Sequence, residues 1–451
     1  MTSANDVYAE NLVDGHRTLP VLVDDLATAT RAIHVAMFLF FDDPIAQELE
    51  RALVAKSRAG VHVKVLLNVE KTNMGDPFST GEERMMKEDP EFDRDPTRID
   101  ELEKRLRAAG VEILDTNLDY DAIVETGEPD LDAIAREIRE SVRVDDLHID
   151  HRKIVTIDNR IAYAGSANFG AQYLHRHAFD PKANAHDEAA AARKARAPEP
   201  WWKWHDGFVR FEGPVAHDLD RVFRERWRLG GGADFECIAK QPAGMLGPPR
   251  GVRVASARVL KNEPSSRPNE IREAFVEKIR GAERTIFIEN PYLYHPSIVE
   301  ALVDAKRGRP AMRVTLVLPA LDWNDNAFAH DAQQHHYAAY VDAGIEVFEY
   351  QNHFTHLKLA TFDERFAIIG SANLNYRSME DDKDFEACVL IEGEEFARGI
   401  DRDVRDRDLE CSKRFGEHDV HGASLAAMRV RLRDPRTLAM IAARELRRVQ
   451  G

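Results

Sequence analysis

Residues 151–168, HRKIVTIDNRIAYAGSAN, and residues 356–373, HLKLATFDERFAIIGSAN, follow one template, H-x-K-x4-D-x6-G-S-x-N, and start 205 positions apart. His151, Lys153, Asp158, Gly165, Ser166 and Asn168 map without a gap onto His356, Lys358, Asp363, Gly370, Ser371 and Asn373. A template repeated at that distance marks a chain made of two similar halves.

The surroundings of each copy repeat as well. In the first half the pattern predicts a strand over 33–41, a helix over 44–59, a strand over 61–67, a helix in IDELEKRLRAAG and a strand over 111–114. The second half answers with a strand over 285–293, a helix over 296–306, a strand over 312–319, a helix through Tyr337 and Tyr340 to Gly344, and a strand over 345–350. Strands alternating with helices predict an α/β fold with a largely buried sheet in each half, the two related by a pseudo-two-fold. Gly110 precedes His151 by 41 residues and Gly344 precedes His356 by 12, so the first half carries an insertion over about 116–146.

The expected domains are 1–230 with the first motif, 269–415 with the second, a Gly-, Pro- and Ser-rich linker over 231–268, and a helical extension over 416–451. The stretch 182–200 reads as an exposed connection.

With 62 basic and 79 acidic residues the net charge is −17, which repels polyanions and makes nucleic acid an unsuitable partner. Three cysteines without metal spacing, Cys237, Cys388 and Cys411, suggest neither disulfides nor a zinc cluster. The His-rich pieces HRH at 175–177 and DAQQHHY at 331–337 lack ligand partners, so no metal and no cofactor is expected. No signal peptide or 18-residue apolar run is apparent, so the expected location is cytoplasmic, with a peripheral seat at the inner membrane surface compatible with the Arg-rich C-terminus.

In each motif the His and Lys are two apart, so on a strand they share a face, and such a face suits phosphate. Ser166, Asn168, Ser371 and Asn373 are the expected ligands for non-bridging phosphate oxygens, with a tight turn at Gly165 and Gly370. The runs IVTIDNRIAYA and LATFDERFAII look like hairpins, which gives Asp158 and Asp363 a structural, turn-making role. If both constellations meet in one cleft, one histidine can attack phosphorus while the other protonates the departing oxygen.

These residues, together with WHDGFVRFEGPVAHDLDRVFRERW at 204–227, ENPYL at 289–293 and NYRSMEDDKDFE at 375–386, resemble the phospholipase D superfamily with two HKD motifs, most closely its bacterial cardiolipin synthase and phosphatidylserine synthase branch. The resemblance implies two phospholipase D-like α/β/α sandwich domains in one chain with the active site at their interface, in a monomer that is an internal pseudo-dimer. It implies a phosphodiesterase or phosphatidyltransferase that acts on phospholipids, or another phosphodiester, through a phosphohistidine. His151 is then the nucleophile and His356 the general acid, with Lys153 and Lys358 on the phosphate. By position, Glu386 is expected to orient His151, and Asp206 to orient His356. A nuclease and an inactive binding protein on the same fold are the alternative functions.

Overall fold

The computed structural model describes residues 6–68, 99–116, 148–176, 203–240, 243–244, 247–264, 268–320, 323–324, 327–351, 353–381 and 383–416. The insertion, apart from Thr116, the connection over 182–200 and the extension from residue 417 lie outside them.

The first sheet is formed by β1 (Val7–Val13), β2 (Ala32–Met37), β3 (His62–Leu67), β4 (Glu112–Asp115), β5 (Ile154–Ile157), β6 (Ile161–Gly165), β7 (Gly207–Glu212) and β8 (Val252–Val254). The second is formed by β9 (Ser256–Asn262), β10 (Thr285–Glu289), β11 (Arg313–Pro319), β12 (Glu346–Tyr350), β13 (Leu359–Phe362), β14 (Phe366–Gly370), β15 (Glu386–Glu392) and β16 (Ser412–Arg414). Their orders are β4-β3-β2-β5-β6-β7-β1-β8 and β16-β12-β11-β10-β13-β14-β15-β9. Without the outermost β8 and β16 the two orders coincide. In each, three parallel strands from the βα units meet an antiparallel hairpin, β5–β6 or β13–β14, which carries the motif.

Alternation along the strands explains the layering. Ile33, Val35 and Met37 of β2 pack with Leu19, Leu22, Ile45 and Leu49 of the helices Gly15–Ala27 and Pro44–Arg58. Ala36 points to the other side, where Ala162, Ala164 and Val209 join Phe287, Leu359, Ala367, Ile369 and Val389 of the second sheet in one shared core. Ala360, Phe362 and Ile368 then face the outer helices Glu270–Gly281 and Pro296–Gly308. Small residues at the seam let the two sheets approach closely, which brings the two hairpins together.

The stretch 231–268 contains two strands. Val252–Val254 pairs with β1 as the edge of the first sheet, and Ser256–Asn262 pairs along all of β15 in the second, so the chain changes sheets at Ala255. Its Gly, Pro and Ser content hid a half-buried strand in which Leu260 and Asn262 are buried. The strands expected over 33–41 and 285–293 end at Met37 and Glu289 because the following residues leave the ladder for isolated bridges, Phe40 to Phe169 and Leu293 to Leu374.

Candidate active site at the junction of the two halves

Each hairpin turns through two residues of positive φ, Asp158 and Asn159 at 53° and 51°, and Asp363 and Glu364 at 53° and 55°. That is the geometry of a two-residue turn matching strand twist. The Asp carboxylates also reach across the sheet. Asp158 accepts the backbone N–H of Thr30, Arg31 and Ala32, each at 2.8 Å, and the Thr30 hydroxyl at 2.9 Å. Asp363 accepts from the N–H groups of Glu283, Arg284 and Thr285 at 2.7–2.9 Å. The motif aspartate therefore fastens its hairpin to the first residues of the central strand.

Gly165 and Gly370 close β6 and β14, and their role differs from the expected tight turn. A Cβ on Gly165 would lie 2.2 Å from the Gly207 carbonyl oxygen, and one on Gly370 would lie 2.3 Å from that of Ala387. Both are glycine because a neighbouring backbone passes there. The next residues correct a second expectation. The hydroxyls of Ser166 and Ser371 are fully buried and donate to Asp206 Oδ1 and Glu386 Oε2, so they hold carboxylates and do not face phosphate. Asn168 accepts the Leu39 N–H through Oδ1 at 3.2 Å, and the Asn373 N–H donates to Ser378 Oγ at 3.1 Å.

The halves then exchange partners. Parallel bridges join Asp150 to Phe385 and His205 to Thr355, setting each motif histidine beside the strand that leads to a carboxylate of the other half. Glu386 lies at 3.0 Å and 3.3 Å from His151 Nδ1, and Asp206 at 2.7 Å from His356 Nδ1. Glu386 further accepts the Ser378 hydroxyl at 2.6 Å, and Asp206 the Gly207 N–H at 2.8 Å. Lys153 and Lys358 donate back to the carbonyls of His151 and His356 at 2.7 Å and 2.9 Å, and Lys358 Nζ also lies 2.9 Å from His356 Nε2.

Burial dominates the electrostatics. Burial, and after it the Lys153 charge, lower the His151 pKa, while burial with Lys358 and Lys153 holds His356 well below the usual range. Both shifts favour the neutral imidazole, and a carboxylate facing Nδ1 favours the tautomer that donates from Nδ1 and keeps its lone pair on Nε2. Burial pushes Lys153 down to about 7 despite Glu386, and raises Asp206 to about 6 against Lys358 and Ser166. Glu386 goes the other way: burial raises it, but His151, Lys153 and Ser371 together lower it.

The family model described as "Cardiolipin synthase, PLD-like domain" matches residues 22–192 and 275–407, well over half of the chain. The chain belongs to that family. Among curated relatives it is 24% identical over 392 residues to cardiolipin synthase A of Buchnera aphidicola and 23% identical over 394 residues to a cardiolipin synthase of Listeria monocytogenes. It spans 66% of the length of these relatives, and the matches cover 86% and 87% of this chain. The crystal structure of phosphatidylserine synthase from Haemophilus influenzae superposes with a TM-score of 0.61 at 13% identity, covering 97% of this chain and 94% of that one, which shows a shared fold.

Within this PLD-like frame several residues beyond the repeated template surround the two histidine–carboxylate couples. Ser378 gives Glu386 its second hydroxyl, and Asp384 holds Arg377 Nε at 2.9 Å and the Ile149 N–H at 3.1 Å. Trp204, Tyr173 and Phe354 pack around His356 at centroid distances of 5.1–5.7 Å, and Phe38 lies edge-on to His151 at 5.3 Å. Trp201 and Trp202 lie outside the described residues. No helix among the described residues is long and apolar enough to cross a membrane. Among them, one His/carboxylate group has ligand-like spacing, His205 with Glu289 and Asp408; it contains neither of the His-rich pieces of the sequence.

Proposed function

We propose that the chain is a phosphodiesterase or phosphatidyltransferase of the phospholipase D type acting on phospholipids. The observation that carries this reading is that both motif histidines, each oriented by a carboxylate of the opposite half, converge on one buried place with two lysines. His151 is the nucleophile: its Nε2 has no hydrogen-bond partner among the described residues, whereas Lys358 lies against the Nε2 of His356. Nε2 of His151 attacks phosphorus and the bond to the leaving alkoxide breaks. His356, having taken up a proton, delivers it to that oxygen. Glu386 stabilises the charge left on the His151 ring. In the second step the now neutral His356 removes a proton from the acceptor hydroxyl, whose oxygen displaces His151 and forms the new ester or acid. Lys153 and Lys358 are the cations left to offset charge on the transferring phosphoryl oxygens, and the carboxamides of Asn168 and Asn373 can donate hydrogen bonds to them.

The cardiolipin synthase relatives favour an alcohol acceptor and a lipid headgroup, and the net charge of −17 disfavours a nucleic acid. Because both half-sites belong to one chain, a monomer suffices, seated at a membrane surface to reach its substrate. The test is to mix the protein with phospholipids labelled at phosphorus, with and without a primary alcohol, quench, and follow released headgroup in parallel. A label on His151 that is lost in His151→Ala, and product that changes with the alcohol, is expected. No adduct at either histidine, together with headgroup release unaffected in His151→Ala and His356→Ala, refutes the reading.

A further inference from the structure

A second charged group, unused by the reaction above, lies directly behind the His356–Asp206 couple. His205, next to Asp206 in sequence, is 1% exposed. Its Nδ1 faces Asp14 Oδ1 at 2.7 Å, and its Nε2 faces Asp408 Oδ2 at 3.1 Å and Glu289 Oε1 at 3.8 Å. Ionised carboxylates only accept hydrogen bonds, so a ring placed between two of them must donate from both nitrogens, which makes it an imidazolium. Tyr350 stacks on the ring at 5.2 Å and 7°.

The surrounding charges balance that cation. Arg407 Nη2 lies 3.6 Å from Asp14 Oδ2. Burial and the neighbouring Asp408 raise the Glu289 pKa well above its usual value, which favours the protonated carboxyl, its Oε1 taking the Thr355 hydroxyl at 2.5 Å. Two carboxylates are then offset by His205 and Arg407. Against the cost of burial, Asp408 and Asp14 raise the His205 pKa well above its usual value. Two further histidines, His175 and His353, are coupled to the cluster, His175 to Asp14 and His353 to both Asp14 and His205.

This cluster grips the catalytic couple through the backbone. Asp14 N–H donates to the Asp206 carbonyl at 2.7 Å, His205 N–H to that of Phe354 at 2.9 Å, and His356 N–H to that of His205 at 2.8 Å. The other couple is backed differently. Phe385 takes the place before Glu386, lying against the guanidinium groups of Arg152 and Arg226 at 5.1 Å and 4.8 Å.

We propose that His205, held as an imidazolium between Asp14 and Asp408, is a positioning residue that fixes the Asp206–His356 couple for proton transfer. The proposal rests on the role of His356 given above, and its first test does not need activity. In full-length protein labelled with 15N-histidine, the ring signals lost in His205→Gln should show both nitrogens protonated at about pH 8, and the His356 signals should move in that variant. Activity gives the second test. His205→Gln should lower kcat by about 10- to 100-fold with KM little changed, since small misplacement of a catalytic group has that size of effect. Asp408→Asn, which keeps the side-chain shape, should lower kcat in the same direction and displace the pH profile of kcat. A neutral His205 ring at pH 8, wild-type kcat and pH profile in both variants, or a stoichiometric divalent cation released by chelator with loss of the ring signals would each overturn it. A wild-type protein that cleaves no phosphodiester would refute the function and leave the ring measurement to decide the state of the cluster.

Discussion

Replacing Asp158 with Asn separates a structural third letter of the motif from a catalytic one. The substitution keeps size, shape and tolerance of positive φ at the turn. Oδ1 accepts from the Arg31 and Ala32 N–H groups and Oδ2 from the Thr30 N–H and hydroxyl. An amide has one acceptor oxygen, so the Arg31 and Ala32 bonds survive on it and the Thr30 hydroxyl can turn to accept from the amide nitrogen, while the Thr30 N–H is left donor against donor. One lost backbone bond to a carboxylate and one weakened hydroxyl bond amount to about 2 kcal/mol after water replaces part of the loss at the exposed Thr30. In Asp363 only the Glu283 N–H falls on the second oxygen, so Asp363→Asn should cost about 1 kcal/mol. Urea titration followed by tryptophan fluorescence measures both, and turnover of the folded fraction should stay within about threefold of wild type, these being surface-anchoring bonds. A hundredfold loss of kcat at unchanged stability would refute the reasoning and return Asp158 to the chemistry.

Asp206 should trade stability for function. Its folded pKa of about 6 lies above the ordinary 3.8, so the folded protein prefers the protonated carboxyl. Ionised Asp206 therefore costs about 3 kcal/mol above pH 6, a penalty that fades as pH falls toward 4. Asp206→Asn should melt higher than wild type at pH 7.5 and alike near pH 4 while losing turnover; a lower melting temperature at both pH values would contradict this. Lys153, lowered to about 7, is losing its proton near neutrality, so kcat/KM should fall on the alkaline side with an apparent pKa near 7, a limb that Lys153→Arg abolishes. Ser166→Ala removes one donor from Asp206 and should reduce kcat by about tenfold with KM unchanged, roughly the worth of one charge-assisted bond. Gly165→Ala should give no soluble protein, because the colliding atoms are backbone and cannot step aside.

The sequence displays what is periodic and local. The repeated template, the βα units and the hairpins are all legible because strand and helix periods and two-residue turns are written in neighbouring residues. What escapes it is set by distant contacts. Ser166 and Ser371 look like phosphate ligands until the crossing of β7 and β15 turns them toward carboxylates. The two strands within 231–268 were not legible because Val252–Val254 and Ser256–Asn262 gain their burial from strands far away in sequence, and composition does not carry that information. The His205 cluster draws on Asp14, Glu289 and Asp408, whose separations contain no pattern at all. The pairing of Glu386 with His151 came from likeness to relatives; the physical cause, the bridge between Asp150 and Phe385, is tertiary.

The exchange of partners across the junction bears on how such a chain can change over time. In an assembly of two identical subunits any substitution behind one catalytic couple would appear behind the other as well. Joined in one polypeptide, the two couples answer to separate codons. One rests on a phenylalanine flanked by arginines and the other on a histidine among acids, so the His151 and His356 sides can be tuned independently, while neither half, expressed without the other, would possess a complete histidine–carboxylate pair.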